Sequence, residues 1–274
     1  MHPFLAALLA VPLAAETTSP PTAPGFDVSP TSFPTLAAAD VKPEEFGKWH
    51  GSISLGASFS DGNTDRTTVS ATAKAENRRE RDRITLELLW NYAEEKTEVD
   101  PGPPPVEDDV ITQRRTYGSA KYDYFFTEKL YGLVQASGES DIKAMLDLRT
   151  IFGVGAGYQF REDERWKVSG EAGLAYVDED YKDDSADADY LAARLAYKVD
   201  WTPNEKCTVG QGAQIYPSLE NSDDVNSFVD THAKLTLTDN MFAQLQWLFT
   251  WDNTPATGAD RVDNLYLLTL GWSF

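Results

Sequence analysis

The chain has one cysteine, three histidines and three methionines in 274 residues. A single thiol, Cys207, excludes an internal disulfide framework and a multi-thiolate metal site. Basic residues are scarce as well: 24 Lys and Arg stand against 44 Asp and Glu, for a net charge of −20. Such an excess repels phosphate backbones, so nucleic acid is not expected as a partner. No run approaches the ~18 consecutive apolar residues of a spanning helix, which excludes a helical membrane protein. What the chain does carry is aromatic side chains: seven Trp, twelve Tyr and thirteen Phe. The fold has to account for that load.

Pro3 to Ala15 form a short apolar run that ends in small residues before Glu16. This outline predicts a secretory signal peptide over 1–15, although no Lys or Arg precedes the run. Prolines at 20, 21, 24, 30, 34 and 43 follow. They mark 16–46 as a Pro-rich, disordered periplasmic linker.

From Trp49 onward the sequence alternates. Trp49, Gly51, Ile53, Leu55, Ala57 and Phe59 interleave with His50, Ser52, Ser54, Gly56 and Ser58. Asp61-Gly62-Asn63 supplies turn chemistry, and Thr67, Val69, Ala71, Ala73 and Ala75 resume the pattern. Period two places the two sets on opposite faces of a strand. It recurs over 84–92, 118–126, 146–160, 166–176, 191–201, 225–237, 241–251 and 266–274. Two segments, 130–138 and 207–216, alternate weakly and read either way. Twelve strands are expected in all.

Connections between these segments alternate between short and long. The short ones are 78–82, 127–129, 161–165, 202–206 and 239–240. The others, 61–65, 94–111, 139–145, 178–189, 217–224 and 252–261, together carry a net charge of −19. In an up-and-down meander, alternate connections share one end. Tight turns at one end and long loops at the other are the asymmetry of outer-membrane barrels.

Periodicity does not say whether the apolar face points in or out. Among the basic residues of the strands, only Arg114 falls on that face. The polar face holds the candidate lumen-lining residues His50, Lys74, Glu76, Arg115, Lys121, Asp123, Asp147, Arg149, Glu171, Arg194, Lys198, Asp230, His232 and Lys234. Aromatic rings decide between the two orientations. Trp49, Tyr122, Tyr124, Trp166, Trp201 and Trp272 lie beside short turns or termini, while Trp90, Tyr176, Trp247 and Trp251 lie toward the long loops. Two belts of amphipathic rings suit the two headgroup levels of a bilayer. Phe152, mid-strand, is the exception. About 11 residues at ~3.3 Å each, tilted ~40°, rise ~28 Å, close to the ~25 Å apolar band of such barrels. The expectation is all-β: a closed up-and-down antiparallel transmembrane barrel of about twelve strands over 47–274, in the outer membrane of a Gram-negative bacterium. Lipid and lipopolysaccharide would surround it.

Several segments resemble one known family. They are Trp49-His50-Gly51, Leu55-Gly56-Ala57-Ser58, Gly62-Asn63-Thr64-Asp65, and Lys121-Tyr122-Asp123-Tyr124 with Lys129-Leu130-Tyr131. Asp147-Leu148-Arg149, Gly153-Val154-Gly155-Ala156-Gly157-Tyr158 and Glu171-Ala172-Gly173-Leu174-Ala175-Tyr176 complete the set. Together they are similar to the YdiY-like family of salt-induced outer-membrane proteins over about residues 47–274. The resemblance implies an envelope role tied to salt stress and names no reaction. The closing Leu270-Gly271-Trp272-Ser273-Phe274 resembles the terminal signal that the barrel-assembly machinery reads, with Phe274 as its last residue.

Little in the sequence argues for chemistry. His50 and His232 do not announce convergent ligands, so no metal or other cofactor is expected. A lipid hydrolase would need His and Ser on the outer face, and both histidines carry inward parity. No enzyme is expected. The stretch Asp178 to Asp189 lacks the Gly and terminal Glu of a calcium loop, which leaves divalent cations as loose partners of the acidic loops. Three readings remain: a narrow cation-favouring channel for ions or small solutes, a plugged structural or binding barrel, and, least, the hydrolase.

Overall fold

The computed structural model of the protein describes residues 46–60, 66–100, 106–182, 187–256 and 258–274. The signal peptide read over 1–15 and the linker read over 16–46 lie outside the described residues, apart from Phe46. Twelve strands follow in chain order. They are β1 (Trp49–Ser60), β2 (Arg66–Arg78), β3 (Asp82–Asp100), β4 (Val106–Phe125), β5 (Leu130–Asp141) and β6 (Leu146–Glu162). Then come β7 (Trp166–Tyr181), β8 (Ala188–Asn204), β9 (Cys207–Pro217), β10 (Val225–Thr236), β11 (Met241–Asp252) and β12 (Val262–Ser273). Each pairs with its neighbour in sequence, and β1 pairs antiparallel with β12, so the sheet closes into a barrel. The two weakly alternating segments are thus strands β5 and β9.

The tight turns are closed by their own side chains. Thr127 Oγ1 accepts from the Leu130 amide (2.9 Å) and Asn204 Oδ1 from that of Lys206 (3.0 Å). Asp163 Oδ1 accepts from Arg165 and Trp166 (2.9 and 2.8 Å), and Thr238 Oγ1 from Met241 (3.0 Å). Short oxygen-bearing side chains that bond the backbone two or three residues on are what such turns select.

The alternating faces separate as the pattern requires. Ile53 and Leu55 point outward, the latter 62% exposed, while Ser52 and Ser54 between them are buried in the lumen. Exposed large apolar residues recur around the ring, among them Leu88, Val134, Phe152, Val154, Leu174, Leu195, Leu245 and Leu270. A soluble barrel would cover these groups; this one turns them outward.

Two expectations need correction. The connection read over 94–111 is mostly strand: the β3–β4 ladder runs on from Glu94–Ile111 to Asp100–Val106. Its acidity suggests a loop, but Thr97, Val99, Val106, Val110 and Ile111 are β-branched and fit a pleated ribbon. At the start of β6, Leu146 is buried instead of outward, and Asp147, read as lumen-lining, is exposed. A register shift between Leu146 and Leu148, opposite Tyr181 and Asp180, inserts Asp147 as an extra residue. Such a bulge reverses the parity of everything on its far side.

Candidate functional site

The lumen is layered. Its middle is an apolar belt of contacting side chains: Leu89, Tyr117, Ile151, Ala175, Val177, Tyr190, Ala192, Tyr216, Phe228, Leu248, Leu265 and Leu267. These come from β3, β4, β6, β7, β8, β9, β10, β11 and β12, and each is at most 4% exposed. On every contributing strand, the inward residues on either side of the belt are mostly polar or charged. The belt therefore separates two polar layers.

Beneath it, toward the tight turns, lies a chamber of about 140 Å³ whose lining includes Lys74, Glu87, Ser119, Lys121, Glu171, Arg194, Lys198 and Asp230. Tyr117 and Phe228 reach it from the belt. Its charges meet in pairs and threes. Glu171 accepts from Lys121, from Arg194 (2.8 Å) and from the Tyr131 hydroxyl (2.8 Å). Lys74 lies 2.9 Å from Glu87, Arg83 2.7 Å from Asp123, and Lys198 3.1 Å from Asp200. His232 sits between two aspartates, with Nδ1 2.8 Å from Asp230 and Nε2 3.7 Å from Asp200. Gln246 donates to Asp230. Gly210 makes this arrangement possible. A Cβ there would fall 2.3 Å from Asp200 Oδ1 and 2.5 Å from the imidazole.

Above the belt, toward the long connections, a second layer gathers around two arginines. Arg149 donates to Glu179 (2.5 Å), Asp252 (3.1 Å) and the Tyr181 hydroxyl (3.2 Å). Arg115, fully buried, lies 2.5 Å from Glu139 and 3.9 Å from Asp141. Asn226 donates to Glu179 (3.2 Å) and the Tyr190 hydroxyl (2.7 Å). Charges taken out of water are tolerable only when paired and hydrogen-bonded in this way.

The expected lumen residues fall as follows. Lys74, Glu76, Arg115, Asp123, Arg149, Arg194, Asp230 and His232 are buried, and His50, Lys121, Glu171, Lys198 and Lys234 are half-buried. The structure joins Lys121, Asp123, Glu171 and Arg194 in one network, and sets Lys234 over the Phe242 ring (4.1 Å). His50 pairs across to Glu76. Among the described residues no group of three or more His, Cys, Asp or Glu is arranged to hold a metal. Of the girdle residues, Trp49, Tyr122, Tyr124, Trp201 and Trp272 are exposed at the turn end, where Trp166 stacks on Trp201 (5.8 Å). Trp90 and Tyr176 are exposed at the loop end, with Trp247 and Trp251 half-covered.

The belt is what the alternation hides. Its signal is apolar side chains of both parities in succession: Leu88-Leu89-Trp90, Ala175-Tyr176-Val177, Tyr190-Leu191-Ala192, Trp247-Leu248-Phe249 and Leu265-Tyr266-Leu267-Leu268. Strands covered on both faces read that way. A larger concavity lies outside the lumen, about 700 Å³ on the outer wall, where Ala156, Gly170, Ala172 and Ala213 leave a shallow between Tyr158, Leu195 and Ile215. Its lining is mostly apolar.

A family model described as a protein of unknown function, DUF481, matches residues 53–274. No curated protein matches the chain. Among solved structures, the chain is similar to the NanC porin at 7% identity and a TM-score of 0.47, over 82% of this chain and 98% of that one. It is also similar to the KdgM porin in complex with disordered oligogalacturonate (12% identity, TM-score 0.43, 81% and 99% covered). A third is the COG4313 outer membrane channel from Pseudomonas putida F1 (12%, 0.43, 92% and 99%). The likeness is one of architecture.

Proposed function

We propose, for a chain that belongs to the DUF481 family of unknown function, an outer-membrane barrel whose lumen is closed to through-flow. The outer-membrane placement rests on a closed ring with exposed leucines, valines and aromatics outside and paired charges inside. In hydrocarbon every backbone group must be bonded within the protein, and a closed barrel of strands meets that demand.

One observation carries the closed lumen. The belt from Leu89 to Leu267 joins side chains of nine of the twelve strands, with no member more than 4% exposed. An apolar constriction excludes water and with it any ion, since a bare charge cannot be desolvated without a partner. The protein then serves the envelope as a plugged structural or binding barrel. Its partners are the lipid and lipopolysaccharide around it, the assembly machinery that reads Phe274, and divalent cations at the acidic loops. The salt-stress role that family resemblance implies fits an anionic outer rim.

Recording in a planar bilayer tests this. The wild type should show no steady conductance, and Tyr117→Ala with Phe228→Ala should create one by emptying the belt. Steady current through the wild type would overturn the closed lumen. A second reading, a narrow cation-favouring channel, draws on the excess of acidic over basic residues in the sequence toward the long connections. It requires wild-type current with reversal potentials on the cation side. A hydrolase is not proposed, and purified protein should release no fatty acid from phospholipid with calcium present.

A further inference from the structure

The seam that closes the ring differs from the seams beside it. β1 pairs with β2 along its whole length, from Trp49–Asn77 to Ser60–Arg66. β12 pairs with β11 from Trp272–Met241 to Val262–Trp251. Between β1 and β12 the ladder runs only from Ser52–Ser273 to Leu55–Leu270. Reciprocal bonds between Gly51 and Phe274 (3.0 and 2.9 Å) extend it at the turn end. Above Leu55 the two strands continue toward the loop end without ladder pairs among the described residues.

Gly56 marks the break. A Cβ there would meet the Leu268 carbonyl oxygen at 2.8 Å and the Ser70 hydroxyl at 2.7 Å, so the backbones pass too closely for any other residue. Just beyond it, consecutive residues Ala57 and Ser58 are both exposed. In a paired wall strand one of two neighbours would face a covered lumen. On the facing stretch of β12, Leu268 is 73% exposed, the most of any large apolar residue described. Beyond His50, the inward positions of β1 up to Ser58 are Ser52, Ser54, Gly56 and Ser58, all too small to block the opening. Behind it stand Leu265 and Leu267 of the apolar belt, at 0% and 4% exposure.

We propose that the loop-end half of the β1–β12 seam is a lateral portal between the outer leaflet and the lumen, and that it takes the acyl chain of a membrane lipid. The proposal rests on the membrane placement argued above. Strands that share no ladder bonds can part without breaking any. Unpaired strand edges cannot face hydrocarbon unaided, but here the lumen side offers hydroxyls, including the partnerless Thr269 Oγ1. The ligand class follows from the wall the portal faces. Leu265 and Leu267 suit a hydrocarbon chain, and the charged layers above and below do not.

The full chain in nanodiscs, doped with a phospholipid that carries a diazirine on its acyl chain, tests the portal by photolabelling and peptide mapping. Label on Leu265 or Leu267, besides the outward Leu268 and Leu270, is the expected result. Ala57→Cys with Leu268→Cys, in a Cys207→Ser background, should lose the inward label when oxidised and regain it on reduction. A parallel arm with a lipid A analogue bearing the same diazirine tells which lipid is the source; inward label from either supports the portal. Label confined to outward residues with both lipids overturns it. Should the double-cysteine protein fail to fold, amide exchange on the wild type decides. The amides of Ala57 and Phe59, which point to β12 on the parity of Gly51, should exchange at least tenfold faster than those of Ile53 and Leu55, and equal rates overturn the proposal. A conducting wild type would remove the closed lumen and leave this labelling result standing.

Discussion

Glu171 is the residue on which the lower chamber turns, since Lys121, Arg194 and the Tyr131 hydroxyl all converge on it. Glu171→Leu leaves two cations facing each other with one carboxylate fewer. Removing one partner of a buried pair costs about 3–5 kcal/mol. Urea unfolding in lipid vesicles, followed by tryptophan fluorescence, should show that loss, and Glu171→Leu with Arg194→Leu should lose less than the single change. A gentler effect belongs to Asp163, in the turn outside the bilayer. Its hydrogen bond from Arg161 and those from the Arg165 and Trp166 amides hold its carboxyl below the ordinary aspartate range. A depressed value means the group favours the folded state fully above the unfolded pKa of about 3.9, and progressively less as pH falls through the folded one. Asp163→Ala should therefore unfold more easily than wild type at pH 7, with the gap closing in acid. Single positions such as Lys121 and Arg194 are legible from parity because the register is unbroken around them, from Arg115 to Phe125 in β4 and from Ala188 to Trp201 in β8. Asp147 is not, because a bulge leaves no mark in the order of residues; only its partner strand reveals the extra one.

At the level of elements, the ribbon formed by the outer ends of β3 and β4 stands apart. Beyond the register shift at Ala93 and Glu94 its ladder continues, with Lys96 opposite Asp109 and Thr97 opposite Asp108. Since it adds nothing to the lumen belt, deletion of 96–109 with a short Gly-Ser joint should leave a barrel that still migrates anomalously unless boiled. Loss of that band shift would mean that the ribbon helps to hold the ring. Strand identity is legible almost throughout, since period two needs only one wet and one greasy face. Where both faces are apolar, as in Leu265 to Leu268, the alternation fades and parity no longer sets the inner face apart. That is why the belt escapes a parity argument while the paired charges on either side do not.

For the molecule as a whole, two rings of indole and phenol groups should lie at the two headgroup levels. Lipids brominated near the headgroup should quench tryptophan emission more strongly than lipids brominated at the chain end, and the reverse order would place the belts wrongly. Architecture, facing and end-to-end asymmetry are all legible from connection lengths and ring placement. Whether the lumen is open is not, because it depends on which inward side chains reach one another across the barrel. The short closing ladder also bears on how the ring is made. Every other seam joins strands that are neighbours in the chain, so each can zip from its own turn as a local hairpin. Ser52 and Ser273 are brought together only after everything between them has curled round, and closure across so long a loop is the step that entropy opposes most. The joint that forms last is thus also the one with the fewest rungs, and an uncurled sheet with two free edges is the intermediate that a stalled assembly should accumulate.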